Sequence, residues 1–415
     1  MSLATFVALG LPDGMLGTAW PPLRHSFDAP IGALGLILLV STAGSVLITV
    51  FVGYLIRRLG VSVPLAAGLA SAALAAAGFA SAPVFAVVLA VSLFFGVGAG
   101  LMDGGLNTAV GLSGRRRLLN LLHGAYGVGT AIGPLVVIVS LLTGSWRPAY
   151  VALLAVDAGL AVVWLLHRRG EVARPVAVGP DAGAGTRAGG QVPPAGPVVD
   201  PVAVGVAAAG PDGVAAAGPA GGRGAGEGRY LAPIVAGIAL FFVYTGLEVS
   251  AGVWETTFAR DNLGLSQTAA GLATFGYWAA LTAARFVLAL VRRPPAQESV
   301  VRWGCALALV AAGLIWWNPV TAATVAAFVL MGASLAGVFP ALIALTPNRL
   351  GERRASDVIA WQVGAAAAGG AGLSALVGLF IGASGVAVLG PSLLGLAVLL
   401  VALEVLLARL APTGG

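Results

Sequence analysis

The sequence predicts an all-α integral membrane protein, with twelve transmembrane helices in two pseudo-symmetric six-helix halves. Composition, the spacing of apolar runs and the placement of arginine all point there. Hydrophobic residues make up 59% of the chain and charged residues 9%, with a mean hydropathy of +0.98. Soluble domains carry about 25% charged residues. A helical span takes about 20 mostly apolar residues, and the chain offers twelve such runs. None of them alternates with a period of two, which argues against a β-barrel.

The first six spans are expected at residues 3–22, 31–56, 61–80, 83–109, 117–143 and 146–167. Arg57 and Arg58 close the second, Arg115, Arg116 and Arg117 open the fifth, and Arg168 and Arg169 close the sixth. The amino terminus has neither a basic region nor an evident cleavage site, so the first span is expected to be retained. Residues 168–228 are dense in Gly, Pro and Ala and carry no periodic apolar face. Such a stretch cannot build a core, and it is expected to be a disordered cytoplasmic linker. Six further spans follow at 230–258, 266–292, 298–317, 320–346, 355–382 and 385–409. The expected organisation is therefore a bundle at 1–167, the linker at 168–228 and a second bundle at 229–415.

Net charge is +6, carried by 22 Arg and no Lys. With the amino terminus cytoplasmic, eighteen arginines fall in the linker, loops and helix ends of the cytoplasmic side. Only Arg24, Arg147 and Arg260 fall on the other side, and Arg285 lies inside a span. That asymmetry follows the positive-inside rule. It predicts a multi-pass protein of the plasma membrane with both termini cytoplasmic, and it accounts for the basic charge without nucleic acid. The single cysteine, Cys305, excludes an internal disulfide and a cysteine-based metal site and reads as a small buried hydrophobe.

The halves echo one another. One offset aligns His123 with Gln362, Gly133 with Gly372 and Arg115 with Arg354. The first span reads GLPDGMLGTAW and the seventh GLEVSAGVW: a Gly-Leu pair, an acid, small residues and Trp. Duplicated six-helix halves around a central cavity are common among secondary transporters.

Three carboxylates stand inside apolar runs: Asp13, Asp103 and Glu248. A charge at bilayer depth costs about 2.5–3.5 kcal/mol on insertion scales, and its usual place is a water-filled path. Withdrawing a carboxylate from water favours its neutral form, so its proton responds to hydration as a cavity opens and closes. Proton-coupled carriers need that property. There is no P-loop, metalloprotease motif or Ser-His-acid set, so neither enzymatic activity nor a cofactor is expected.

The stretch GVGAGLMDGGLNTAVGLSGRRRLLNLLHGAYGVGTAIGPL, Gly96 to Leu135, joins an acid, an Asn four residues on, a basic loop, Asn-Leu and a Gly-rich run. It resembles the fucose permease-like (fucose–galactose–glucose:proton symporter) branch of the major facilitator superfamily. VYTGLEVSAGVW in the seventh span resembles that branch's Tyr-x-Gly-x-polar-x5-Trp pattern, with Glu248 where the namesake has Gln. AARF in the eighth and GVFPAL in the tenth resemble its Gly-Arg-Phe and its small-x-x-Pro turn. Between spans 2 and 3, GYLIRRLG departs from the superfamily pattern, with Arg57 in place of the Asp usually assigned a gating salt bridge. The resemblance implies the major facilitator fold, sugar transport and proton symport, with Asp103 and Asp13 matching acids of spans 4 and 1.

The expected function is secondary transport of a small polar solute, a sugar or sugar-like compound, driven by protons through alternating access. Asp103, with Asp13 or Glu248, is expected to couple protons. Asn107, Asn120, His123, Tyr244, Trp254 and Gln362 are expected to contact the solute: amides and acids hydrogen-bond hydroxyls, and an aromatic face stacks on a sugar ring. No metal is expected at His123, and the partners expected are solute, protons and bilayer around a monomer. The alternative is proton-antiport efflux of amphipathic drugs or metabolites, with Asp13 and Glu248 as counter-charges. Glu255 is expected to be solvated near the non-cytoplasmic surface, Asp157 to be hidden in packing, and Arg285 to snorkel or to pair with a helix 5 or 11 acceptor.

Overall fold

In lipid the backbone must satisfy its own polar groups, and long apolar runs do so as α-helices. The computed structural model describes residues 1–112, 116–171, 228–291 and 295–410, and no strand occurs among them. The first half is built from α1 (Ser2–Ser26), α2 (Leu34–Leu59), α3 (Ser62–Ser81), α4 (Phe85–Leu112), α5 (Arg116–Leu141) and α6 (Arg147–Glu171). The second holds α7 (Gly228–Asp261), α8 (Gln267–Leu290), α9 (Gln297–Trp317), α10 (Thr321–Leu335), α11 (Val338–Leu350), α12 (Glu352–Ser384) and α13 (Leu389–Leu410). α10 and α11 are two pieces of one span, Thr321–Leu350, so the thirteen helices make twelve passes. Eleven of these are long and apolar enough to cross a membrane. The remaining one, α1, has the length but carries three prolines, Asp13, Arg24 and His25.

Prolines act differently in two places. The tenth span, expected over 320–346, interrupts at Ala336 and Gly337, at the start of the GVFPAL segment that resembles a small-x-x-Pro turn. Pro340 has no N–H to offer the Ala336 carbonyl four residues back, and the helix restarts at Val338. α1 stays helical through Pro12, Pro21 and Pro22. α6 extends to Glu171, one turn into the stretch assigned to the linker. The linker expectation otherwise falls on residues 172–227, which lie outside the described residues.

The duplication is visible in the packing. α1 lies on α5, α2 on α4, and α3 on α4 and α6. In the second half α7 lies on α12, α8 on α10, and α9 on α10 and α13. With α10 and α11 counted as one span, the two schemes are the same. Small residues permit the closest pairs. A side chain at Gly10 or Gly14 of α1 would run into the Tyr126 or Thr130 backbone of α5, and one at Gly369 of α12 into the Phe242 backbone of α7. Gly60 and Gly351 turn the chain between α2 and α3 and between α11 and α12, at φ of 75° and 79°. Only glycine enters that region without strain.

The halves meet along α5 with α8, α2 with α12, and α1 with α7. One end of the bundle is closed. There Arg24 reaches Asp261 (3.7 Å), Arg260 reaches His25 (3.1 Å), and Gln267 donates to the Thr18 carbonyl (2.9 Å). Beneath them a hydroxyl chain runs from Thr18 on α1 through Thr256 on α7 to Thr274 on α8, at 3.2 and 2.7 Å. At the opposite end, among the described residues, α4 forms no packed interface with α10 or α11. Asp13 and Asp103, deep within their helices, are exposed.

Candidate functional site

α1 and α7 approach closely because position 17 has no side chain: a Cβ there would lie 2.6 Å from the Val253 carbonyl oxygen. This contact brings the acid of each helix to the boundary between the halves. On the first-half side, the Tyr126 hydroxyl of α5 donates to Asp13 Oδ2 at 2.6 Å. One turn toward the open end, the His123 ring stands edge-on to Phe6, with centroids 5.9 Å apart. Across from it is Asp103, close enough for His123 and Asp103 to interact electrostatically. Asn107 Nδ2 donates to Asp103 Oδ1 at 2.9 Å, as i,i+4 spacing on one helix allows. Its own Oδ1 is buried without a partner among the described residues.

On the second-half side, Arg285 of α8 pairs with Glu248 of α7, Nη2 to Oε1, at 3.6 Å. The Tyr244 hydroxyl, one turn back on α7, also donates to Glu248 and lies 3.0 Å from the Leu335 carbonyl oxygen. Tyr277 donates to the Glu248 main-chain carbonyl at 2.7 Å. Tyr126 lies within electrostatic reach of both Glu248 and Arg285, so the two networks face one another. Thr282 of α8, one turn from Arg285, ties the halves together beside them by donating to the Gly127 carbonyl at 2.9 Å.

Residues 2–372 match the family described as Major Facilitator Superfamily. The chain belongs to the major facilitator superfamily. No curated protein matches this facilitator's sequence, but solved structures match its fold. One is a major facilitator transporter, FucP, in the outward conformation: TM-score 0.60, 15% identity, 99% of this chain and 98% of that chain covered. Another is the E. coli fucose:proton symporter FucP in an asparagine-to-alanine variant, with TM-score 0.58, 15% identity and the same coverage. At that identity the likeness shows the fold, as the six-plus-six reading anticipates. The facilitator is a multi-pass membrane protein and a secondary transporter by family, rather than an enzyme.

Several expected solute contacts lie elsewhere in this facilitator. Trp254 is fully buried, and its indole N–H donates to the Ser374 carbonyl of α12 at 3.1 Å. Its ring covers Gly378, so it packs α7 on α12 and offers no stacking face to a solute. Gln362, 4% exposed, accepts from Thr346 at 3.0 Å inside the second half, beside a small cavity also lined by Phe241 and Arg349. Tyr244 is buried behind Glu248 instead of lining the cavity. The Asn120 side chain lies outside the described residues.

Two further expectations are corrected. Glu255 is fully buried, with no partner for either carboxylate oxygen among the described residues. Its turn of α7 is enclosed by neighbouring helices, as buried Thr256, Thr257 and Phe258 attest. Among the described residues Arg285 does not snorkel and pairs with no acceptor of α5 or of α12, the eleventh span. It turns to Glu248 and to the Ala336 carbonyl, 3.2 Å from its Nε. Asp157 is buried on α6, also without a partner among the described residues, as expected of an acid hidden in packing. Tyr126 was missed altogether. Its spacing of i+3 from His123 was the available signal, and a lone arginine inside an apolar span was the signal for Arg285.

Proposed function

We propose that this facilitator is a proton-coupled transporter of a small polar, sugar-like solute, working by alternating access. The observation that carries the reading is a bundle sealed at one end, above two facing networks with accessible acids. Asp13 and Asp103 take up and release protons; each is held by one neutral donor, Tyr126 or Asn107, that tolerates either protonation state. Tyr126, Asn107 and Arg285 supply donors and acceptors for hydroxyl groups. With Trp254 buried, Tyr126 is the aromatic best placed against a sugar ring. The arginine asymmetry supports a closed end outside and both termini in the cytoplasm, and in that orientation the open end faces inward. The relative's name, a fucose:proton symporter, supports symport and a sugar-like solute.

The test begins with a thermal-shift screen of the purified protein against neutral monosaccharides and lipophilic cations, followed by uptake into proteoliposomes with an imposed proton gradient. A stabilising sugar whose uptake follows the gradient is expected. Stabilisation by the cations alone would replace this reading with efflux. Sidedness is tested separately by cysteines at exposed Val84 and Thr143, which should label from outside, and at Arg58, which should not. Ala82 is buried beneath Arg147 and unsuited to labelling.

A further inference from the structure

The break in the tenth span leaves main-chain oxygens that the helix does not pair. Pro340 removes the N–H that would have served the Ala336 carbonyl, and Arg285 Nε occupies that place at 3.2 Å. The neighbouring carbonyl, Leu335, lies 3.0 Å from the Tyr244 hydroxyl. Both side chains also hold Glu248: Arg285 through its Nη2, Tyr244 through the same hydroxyl. Arg285 serves both the gap and the second-half acid through separate N–H groups, whereas the single O–H of Tyr244 goes either to Glu248 or to the Leu335 carbonyl.

We propose that Arg285 and Tyr244 are positioning residues that couple the state of Glu248 to the hinge between α10 and α11. With Glu248 ionised and unoccupied, its carboxylate fixes Arg285, which fixes the Ala336 carbonyl, and it holds the single O–H of Tyr244. A proton on Glu248, or a solute hydroxyl donating to it, weakens its hold on Arg285 and so on the Ala336 carbonyl. It also releases the Tyr244 O–H to the Leu335 carbonyl, so the hinge exchanges its partners. α11 then moves relative to α10, and α11 carries the second half's share of the open end. The titratable and charged groups facing this clamp are Glu248 and Tyr244 on α7, Tyr277 on α8, and His123 and Tyr126 on α5, the last bonded to Asp13 on α1. The inference rests on the alternating-access reading of the same site, but its test needs neither solute nor transport.

The test measures spin-label distances in the full chain, with Cys305 replaced by Ala and labels at exposed Leu59 of α2 and Asn348 of α11. Glu248→Gln, Arg285→Gln and Tyr244→Phe should each shift or broaden the distance distribution. Pro340→Ala returns an N–H to the Ala336 carbonyl, so adding it to Arg285→Gln should restore the parent distribution. A purely solute-binding role for Arg285 would leave that restoration absent, and its absence overturns the proposal. Distributions unchanged by all three single substitutions overturn it equally. Should Arg285→Gln fail to fold, Glu248→Gln with and without Pro340→Ala decides the matter, since Glu248 holds the Arg285 that serves the Ala336 carbonyl: a shift that Pro340→Ala reduces supports the clamp, and no shift or an unreduced one refutes it.

Discussion

Asp13 and Glu248 stand at matching depths on matching helices, yet their surroundings have diverged. Asp13 is exposed and held by one phenol. Glu248 is largely enclosed and held by a guanidinium and a phenol, with a second phenol on its main-chain carbonyl. A carboxylate beside one neutral donor can gain or lose its proton without leaving a partner's charge unpaired. A carboxylate beside arginine is already neutralised as a pair, and removing either member exposes the other. Matching helices thus carry two acids with different partners, and in the function proposed above Asp13 exchanges protons while Glu248 holds the clamp at the hinge.

The largest effect should come from the exchanging side. Asp13→Asn or Asp103→Asn should reduce gradient-driven accumulation to background in proteoliposomes while solute counterflow persists, because the amide keeps shape but carries no proton. If Glu248→Gln alone abolished accumulation and both Asn variants accumulated normally, the roles of the two halves would be reversed.

Within the facing site comes the cost of splitting the pair. Arg285→Gln leaves Glu248 without its counter-charge. Breaking a fully buried pair costs about 3–5 kcal/mol, and less is expected here because the side chains are 26% and 14% exposed. Melting in detergent should fall for Arg285→Gln and recover in part when Glu248→Gln is added. Additive losses would mean the two residues do not act as a pair.

Trp254→Ala sharpens the comparison from outside the site. It removes a packed indole and its bond to Ser374, with a loss of about 3–5 kcal/mol expected for a large buried aromatic. Solute affinity in the surviving folded protein should change little. A large affinity loss without destabilisation would return Trp254 to the solute.

A smaller effect is expected for Tyr126→Phe, which deletes a bond to a charged group worth about 1.5–3 kcal/mol at most. Solute binding should weaken by roughly tenfold, the equivalent of about 1.4 kcal/mol, with uptake still following the gradient. The smallest belongs to the closed end. Asp261→Asn removes partly exposed pairs that contribute about 0–1 kcal/mol, so cysteine accessibility from the closed side should rise only slightly.

Much of this molecule was legible from residues alone. Twelve passes, two halves and the three mid-depth acids follow from hydrophobic length and from the cost of charge in lipid, quantities that each segment carries without its neighbours. The closed end, the break above Pro340 and the partners of the acids do not. Pro12, Pro21 and Pro22 leave α1 helical, whereas the chain breaks four residues before Pro340, where Arg285 from α8 takes the freed Ala336 carbonyl. Glu255 and Trp254 looked surface-facing and solute-facing, and both are fully buried. Periodicity sorts residues into faces, but which face meets lipid, cavity or another helix depends on how helices far apart in the chain pack together. Local composition determined the architecture of this facilitator, and long-range packing decided which of its polar groups are free to act.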